Sequence, residues 1–294
     1  MQQAASRKLP EEAFLPQPYV LAFLRGDRPE MDRQAALGDA APETAGSVMA
    51  QQSLASAYSG QLQQARRMSA QAVTLAQQAM QPETVALYHA GAAIREALFG
   101  NAVEAKRNAM AALELSKARD VEYGAAFALA LAGDSARSEN LMSNLAKRFP
   151  DDTSVRSSYL PELRALAAVN RGEAAKAVYF LEVSRPSELG VPQSWYTGSF
   201  GALYPIYVRG MAHLAAQQGS EAAVEFEKIL DHRGIVAIDP IGATAHLQLG
   251  RAFAMSGDNT KAKGAYEDFL KLWQNADPDI PVLREAKSEY AKLN

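Results

Sequence analysis

Apolar residues return every three or four positions over most of this chain, the spacing of one face of an α-helix. The stretch near the end is the clearest. Leu247, Leu249, Gly250 and Phe253 mark the packed faces of a predicted helix over Ile241–Met255. Gly257-Asp258-Asn259-Thr260 makes a turn, Lys261–Trp273 a second helix, and Asp277-Pro278 a stop. A Gly followed by a small or polar residue recurs along the chain in the same way. The pairs are Gly26-Asp27, Gly60-Gln61, Gly100-Asn101, Gly133-Asp134, Gly172-Glu173, Gly219-Ser220 and Gly257-Asp258, spaced by 34, 40, 33, 39, 47 and 38 residues. Gly ends a helix in a left-handed conformation at low cost, and Asp or Ser opens the next. Each pair therefore predicts the turn of an antiparallel helical hairpin, and seven hairpins follow.

Small residues and aromatics keep a register within the hairpins. Gly250 precedes Ala262 by twelve positions, and Tyr266 follows Ala262 by four. The same offsets link Gly210, Ala222 and Phe226, and in weaker form Ala93, Ala105 and Ala109, and Ala165, Ala177 and Leu181. Small residues let two helices cross closely, and the aromatic fills the space between them. Leu145 to Phe149 runs into Pro150, which is placed to stop a helix. Glu182–Leu203 breaks the period, with Pro186, Gly190, Pro192, Gly198 and Gly201 beside Trp195, Tyr196 and Phe200. It reads as an irregular insert, either packed or touching a partner. Asp231-His232-Arg233-Gly234-Ile235 is a shorter irregular join. The tail at 281–294 carries Val282, Leu283, Ala286 and Tyr290 at helical spacing, which predicts a helix capping the last hairpin.

This pattern resembles the tetratricopeptide repeat, a helix–turn–helix unit repeated at about 34 residues. The resemblance spans roughly 14–273 and is strongest at Gly250–Phe269 and Gly210–Ile229. It departs from the family at an early position often held by tryptophan, where His246 and Ile206 stand. The resemblance implies an all-α fold: a single right-handed superhelical solenoid over 1–294, of about seven hairpins with a capping helix. First helices would line its concave face.

Composition narrows the chemistry. Of 294 residues, 57 are alanine, which favours closely packed helices. No cysteine is present, so disulfides, thiolate metal sites and cysteine nucleophiles are excluded. The net charge of −3 is spread over both halves, and no basic patch tracks a phosphate backbone, which argues against nucleic acid. No run of 18 apolar residues would span a bilayer, and Met1–Pro10 lacks the apolar segment of a signal peptide. Gly-rich phosphate loops, H-E-x-x-H and the kinase signatures are absent. The four histidines, His89, His213, His232 and His246, lie apart. His213 and His246 fall on packing positions and His232 in an exposed loop, so neither metal nor cofactor is expected. Glutamates such as Glu162 and Glu173 read as solvated helix-surface acids, and no catalytic residue is assigned. An enzymatic reading would require a perturbed acid or base in a closed pocket.

Aligning the units on their turn glycines predicts the residues facing inward. They include Gln51, Tyr58, Ile94, Tyr123, Phe127, Tyr159, Glu162, Tyr204, Tyr207 and Arg251, and Trp195 and Tyr196 of the insert join them. The set is aromatic and lacks the Lys/Asn clamp with which some tetratricopeptide domains hold a C-terminal carboxylate. It predicts capture of an apolar protein segment, since tyrosine offers area at little entropic cost. Packing between repeats is the alternative for the same tyrosines, and self-association is another outcome for the surface.

The stretch from about 200 to 290 adds a further resemblance. Tyr207-Val-Arg-Gly-Met-Ala-His-Leu, Ala223-Val-Glu-Phe-Glu-Lys-Ile-Leu and Asp239-Pro-Ile-Gly-Ala-Thr-Ala-His-Leu-Gln-Leu-Gly-Arg-Ala run on through Tyr266, Phe269 and Trp273 to Ala276-Asp-Pro-Asp-Ile-Pro. The run is similar to the C-terminal repeat region of bacterial eukaryotic-like serine/threonine protein kinases, especially acidobacterial ones. It implies a sensor or scaffold segment of a longer kinase, extracytoplasmic if tethered through a membrane span. Some winged-helix transcription regulators carry comparable ends. A free-standing cytoplasmic or envelope adaptor is the other reading.

Overall fold

Proline opens several helices and glycine closes many of them. Pro16, Pro42, Pro82 and Pro281 each begin a helix, where a missing N–H costs nothing. The computed structural model describes residues 16–39, 42–192, 194–195 and 200–293. The first hairpin pairs α1 (Pro16–Arg25) with α2 (Arg28–Asp39), and the second α3 (Pro42–Tyr58) with α4 (Leu62–Gln78). Next come α5 (Pro82–Leu98) with α6 (Ala102–Leu115), and α7 (Arg119–Leu131) with α8 (Ser135–Arg148). A π-helical segment, Val155–Tyr159, leads into α9 (Leu160–Asn170), which pairs with α10 (Ala174–Leu181). The last hairpins are α11 (Tyr204–Ala215) with α12 (Gly219–Asp231), and α14 (Ile241–Met255) with α15 (Asn259–Leu272). A single turn, α13 (Arg233–Val236), stands between those two, and α16 (Pro281–Ala291) ends the array. The chain is thus an all-α solenoid of helical hairpins.

Six of the seven predicted turns form as expected. Gly26, Gly60, Gly100, Gly133, Gly172 and Gly257 take φ between +68° and +85°. Asp258 Oδ1 then caps α15 by accepting from Lys261 N at 3.0 Å. The sixth hairpin departs: Gln217 takes the left-handed conformation at φ +59°, and Gly219 is already helical. A Cβ on Gly219 would meet the Ala252 carbonyl oxygen at 2.6 Å. This glycine is required for the approach of α14, not for the turn. The predicted crossings also form. A Cβ on Gly210 would meet the Phe226 ring at 2.6 Å, and one on Gly250 the Tyr266 ring at 2.9 Å.

The array closes on itself. Trp273 Nε1 donates to the Tyr58 carbonyl at 3.0 Å, and its ring meets Phe99 edge-on at 4.9 Å. Asp277 N donates to Gly60 O at 3.1 Å, and Gln63 N donates to Asp277 Oδ2 at 2.7 Å. Val282 N donates to Phe99 O at 3.3 Å. The tail helix α16 is therefore no simple solvating cap. It joins α14 through Arg251, whose Nε donates to Glu289 at 2.9 Å, and it meets the end of α5. Ring closure buries Trp273, Phe99, Phe269 and Leu247 together in one cluster.

The insert is ordered where described. It starts as a 3-10 helix, Glu182–Ser187. Glu188 is then held by Arg209 Nη2 at 2.7 Å, while Arg209 also grips Glu225 at 2.8 and 2.6 Å. Further on, Ser194 Oγ donates to Phe200 O at 2.9 Å, and Phe200 and Leu203 are buried. Trp195 packs on a small cluster containing Tyr19, Ala22 and Met31.

Candidate functional site

The residues predicted to line an open concave groove do turn inward, but they meet one another there. Tyr123, Phe127, Tyr159 and Glu162 are 0% exposed, Tyr204 is 1% and Tyr207 2%. The Tyr123 and Tyr159 rings stack at 3.7 Å, and Phe127 lies 4.8 Å from Tyr204. Phe200 of the insert fills what space remains: a Cβ on Gly124 would meet it at 2.9 Å, with Ala90 at 3.1 Å on the other side. The expected aromatic groove is thus a core. The physical cause is twofold: the tyrosines pack between successive repeats, the alternative given for them above, and Phe200 of the insert packs against them.

The other predicted contacts are also engaged within the chain. Tyr58 is buried edge-on against Phe23 at 5.2 Å, and Ile94 is buried. Gln51 is half-buried on α3, with Oε1 unpartnered among the described residues. Arg251 is committed to Glu285 and Glu289. Trp195 is half-buried, and Tyr196 lies outside the described residues.

Two acids sit in this core, against the expectation for Glu162. Ser158 Oγ donates to Glu162 Oε1 at 2.5 Å, and the Tyr123 hydroxyl donates to Oε2. Burial outweighs those bonds and pushes Glu162 up to about 8. Asp239 Oδ1 accepts from Ile241 N at 3.0 Å, and the Tyr204 hydroxyl donates to the same carboxyl. Burial raises Asp239 to about 7. Perturbed acids of this kind mark many catalytic sites. Here neither carboxyl lines the groove beside Tyr179 or the cavities beside Tyr58, Tyr88 and His246. The shifts follow from enclosure among aromatic rings. Glu173, by contrast, is at the surface and paired with Lys176 at 2.9 Å.

The histidines stay apart. His213 Nδ1 and Gln218 Oε1 are 2.7 Å apart, and His246 is held below its ordinary value by burial. His232 is not the free loop residue expected, since it is half-buried with Nδ1 2.7 Å from Lys228 O.

An open groove lies on the outside instead. Its floor is the π-helical segment and the start of α9, and its walls are the end of α8 and α10. It has a volume of about 810 Å³. A π-helical turn is rare and often sits beside a functional surface. Tyr179 is 74% exposed and Val183 56%, with Phe180 and Leu160 between them. Arg156 and Arg164 reach the same groove, both exposed and with no ion pair among the described residues. The sequence held a signal for this face. Ala175, Lys176, Tyr179 and Val183 share one exposed face of α10 and its 3-10 extension, and two of them are large and apolar.

No family model matches the chain, and no curated protein matches it. Among solved structures the chain is similar to the tetratricopeptide domain of P58(IPK), with 12% identity, 96% of this chain and 88% of that chain covered, and a TM-score of 0.31.

Proposed function

We propose that this chain is a non-catalytic helical-repeat scaffold that binds a protein partner in the outer groove between α8 and α10. The carrying observation is the pairing of exposed Tyr179 and Val183 with two arginines, Arg156 and Arg164, that make no ion pair among the described residues. Exposed apolar area beside unpaired positive charge suits an acidic segment bearing aromatic or aliphatic side chains. The rings supply burial, and the arginines supply steering and register.

The test uses a fluorescein-labelled peptide, Asp-Glu-Phe-Asp-Glu-Leu, followed by anisotropy. Saturable binding that weakens with salt supports the proposal. The Arg156→Glu, Arg164→Glu double variant should lose about tenfold or more in affinity, or about 1.4 kcal/mol. No binding by the parent chain, or equal binding by the variant, would overturn it.

The wider setting we infer is a bacterial serine/threonine protein kinase with this array in its C-terminal part. The support is the run at 207–280. An immunoblot of source cells reads it directly. A membrane-bound band far above 31.7 kDa favours the kinase setting, and a soluble band near that mass favours a free-standing adaptor.

A further inference from the structure

A second feature shares no residue with the outer groove. Arg95, on α5, is only 4% exposed. Its Nη1 donates to Ser53 Oγ at 3.0 Å and to Ser69 Oγ at 2.9 Å. The other edge of the guanidinium is less fully engaged. Nε is buried with no hydrogen-bond partner among the described residues. Nη2 lies 3.6 Å from Glu96 Oε1, beyond a good hydrogen bond. That carboxylate is already engaged. Arg66 donates to its two oxygens at 2.9 and 2.7 Å, and Asn101 Nδ2 adds a bond at 3.0 Å. Glu96 is thus shared between two guanidinium groups, gripped by Arg66 and meeting Arg95 only at Nη2.

A buried charge whose counter-ion is shared is costly, and burial outweighs the nearby Glu96 carboxylate to push Arg95 below its ordinary value. Two cavities meet at this side chain. The inner one, about 30 Å³, is lined by Ser53, Ser69, Tyr88 and Arg95. The outer one, about 400 Å³, shares Ser69, Tyr88 and Arg95 and opens past His89 toward Arg66 and Arg107. The inner space admits a head group of a few atoms, and the outer takes a short polar tail.

We propose that Arg95 anchors a carboxylate-binding site, with Nε and Nη2 each donating to one carboxylate oxygen. That edge of a guanidinium matches a carboxylate in a two-point, charge-assisted arrangement. The ligand class is a small polar carboxylate, or an acidic side chain of another protein reaching in through the outer cavity. A trapped water could occupy the inner space as well, and the experiment separates the cases.

The full chain is labelled with ¹⁵N-arginine and its Nε–H resonances are followed by NMR. Sodium acetate, sodium glutarate and an acetylated Glu-Glu peptide are titrated against sodium chloride at matched ionic strength. One resonance, identified by its loss in Arg95→Lys, should move saturably with a carboxylate at millimolar concentration and not with chloride. Glutarate binding without peptide binding assigns a small molecule, and the reverse assigns a protein side chain. Ala92→Leu, which fills the shared wall of both cavities, should abolish the shift even where Arg95→Lys fails to fold. Equal shifts with acetate and chloride, or none with any carboxylate, would leave only water at Arg95 and overturn the proposal.

Discussion

The inner and outer faces of this solenoid carry similar side chains to different ends. Inside, Tyr123, Tyr159, Tyr204 and Phe200 bury one another. Outside, Tyr179 and Phe180 lie 6.1 Å apart at the rim of a groove, with Tyr179 in solvent. Both sets sit at helical spacing. What separates them is what the rest of the chain brings up against them. Packing between successive repeats and filling by the insert use up the inner set, and nothing in the described chain covers the outer one. Aromatic spacing alone therefore does not mark a binding face.

The comparison breaks first at the ring closure. Trp273→Ala removes the contact between the last repeat and the turns of the second and third hairpins. A loss of about 3–5 kcal/mol is expected from urea unfolding. A loss under about 1 kcal/mol would mean the ends do not close the array.

Acid–base linkage gives the next effect. Glu162 is raised from 4.5 to about 8, so the folded state holds a proton that the unfolded state releases. Its contribution is fully present below pH 4.5 and is lost as pH rises through about 8. Asp239 acts with the same sign, over the window from 3.8 to about 7. Unfolding free energy should fall by a few kcal/mol between about pH 5 and pH 9. Glu162→Gln should flatten the upper part of that slope, and an unchanged slope would place the carboxyl in contact with water.

The outer face gives the smallest stability effect. Tyr179→Ala should change stability by less than about 0.5 kcal/mol while weakening capture of the acidic peptide. A large stability loss would move Tyr179 into the core and out of the groove.

The hairpins were legible because their signals are local. Glycine at a left-handed turn and a glycine facing an aromatic sixteen positions on are fixed by neighbours within one unit, as at Gly250 and Tyr266. Gly219 shows the limit: its spacing predicts a turn, whereas Gln217 makes the turn and Gly219 is needed for the approach of α14. Ring closure was not legible, because the Trp273–Tyr58 hydrogen bond joins residues 215 positions apart. The inner tyrosines had the spacing of a groove lining, and only the path of the insert decides that Phe200 fills it. Glu162 looked like a surface acid because the π-helical turn before it, which carries Tyr159 and Ser158 inward, leaves no mark in the hydrophobic pattern.

Hydrogen exchange with and without the Asp-Glu-Phe-Asp-Glu-Leu peptide tests the central claim most directly. In the free chain, α7, α9 and α11 should exchange only at the rate of global unfolding and stay unchanged on peptide addition. New protection should appear at residues 153–160 and 179–183. Fast exchange in α7 and α11 that slows when peptide is added would show that the inner face opens to receive a partner, and would contradict the account.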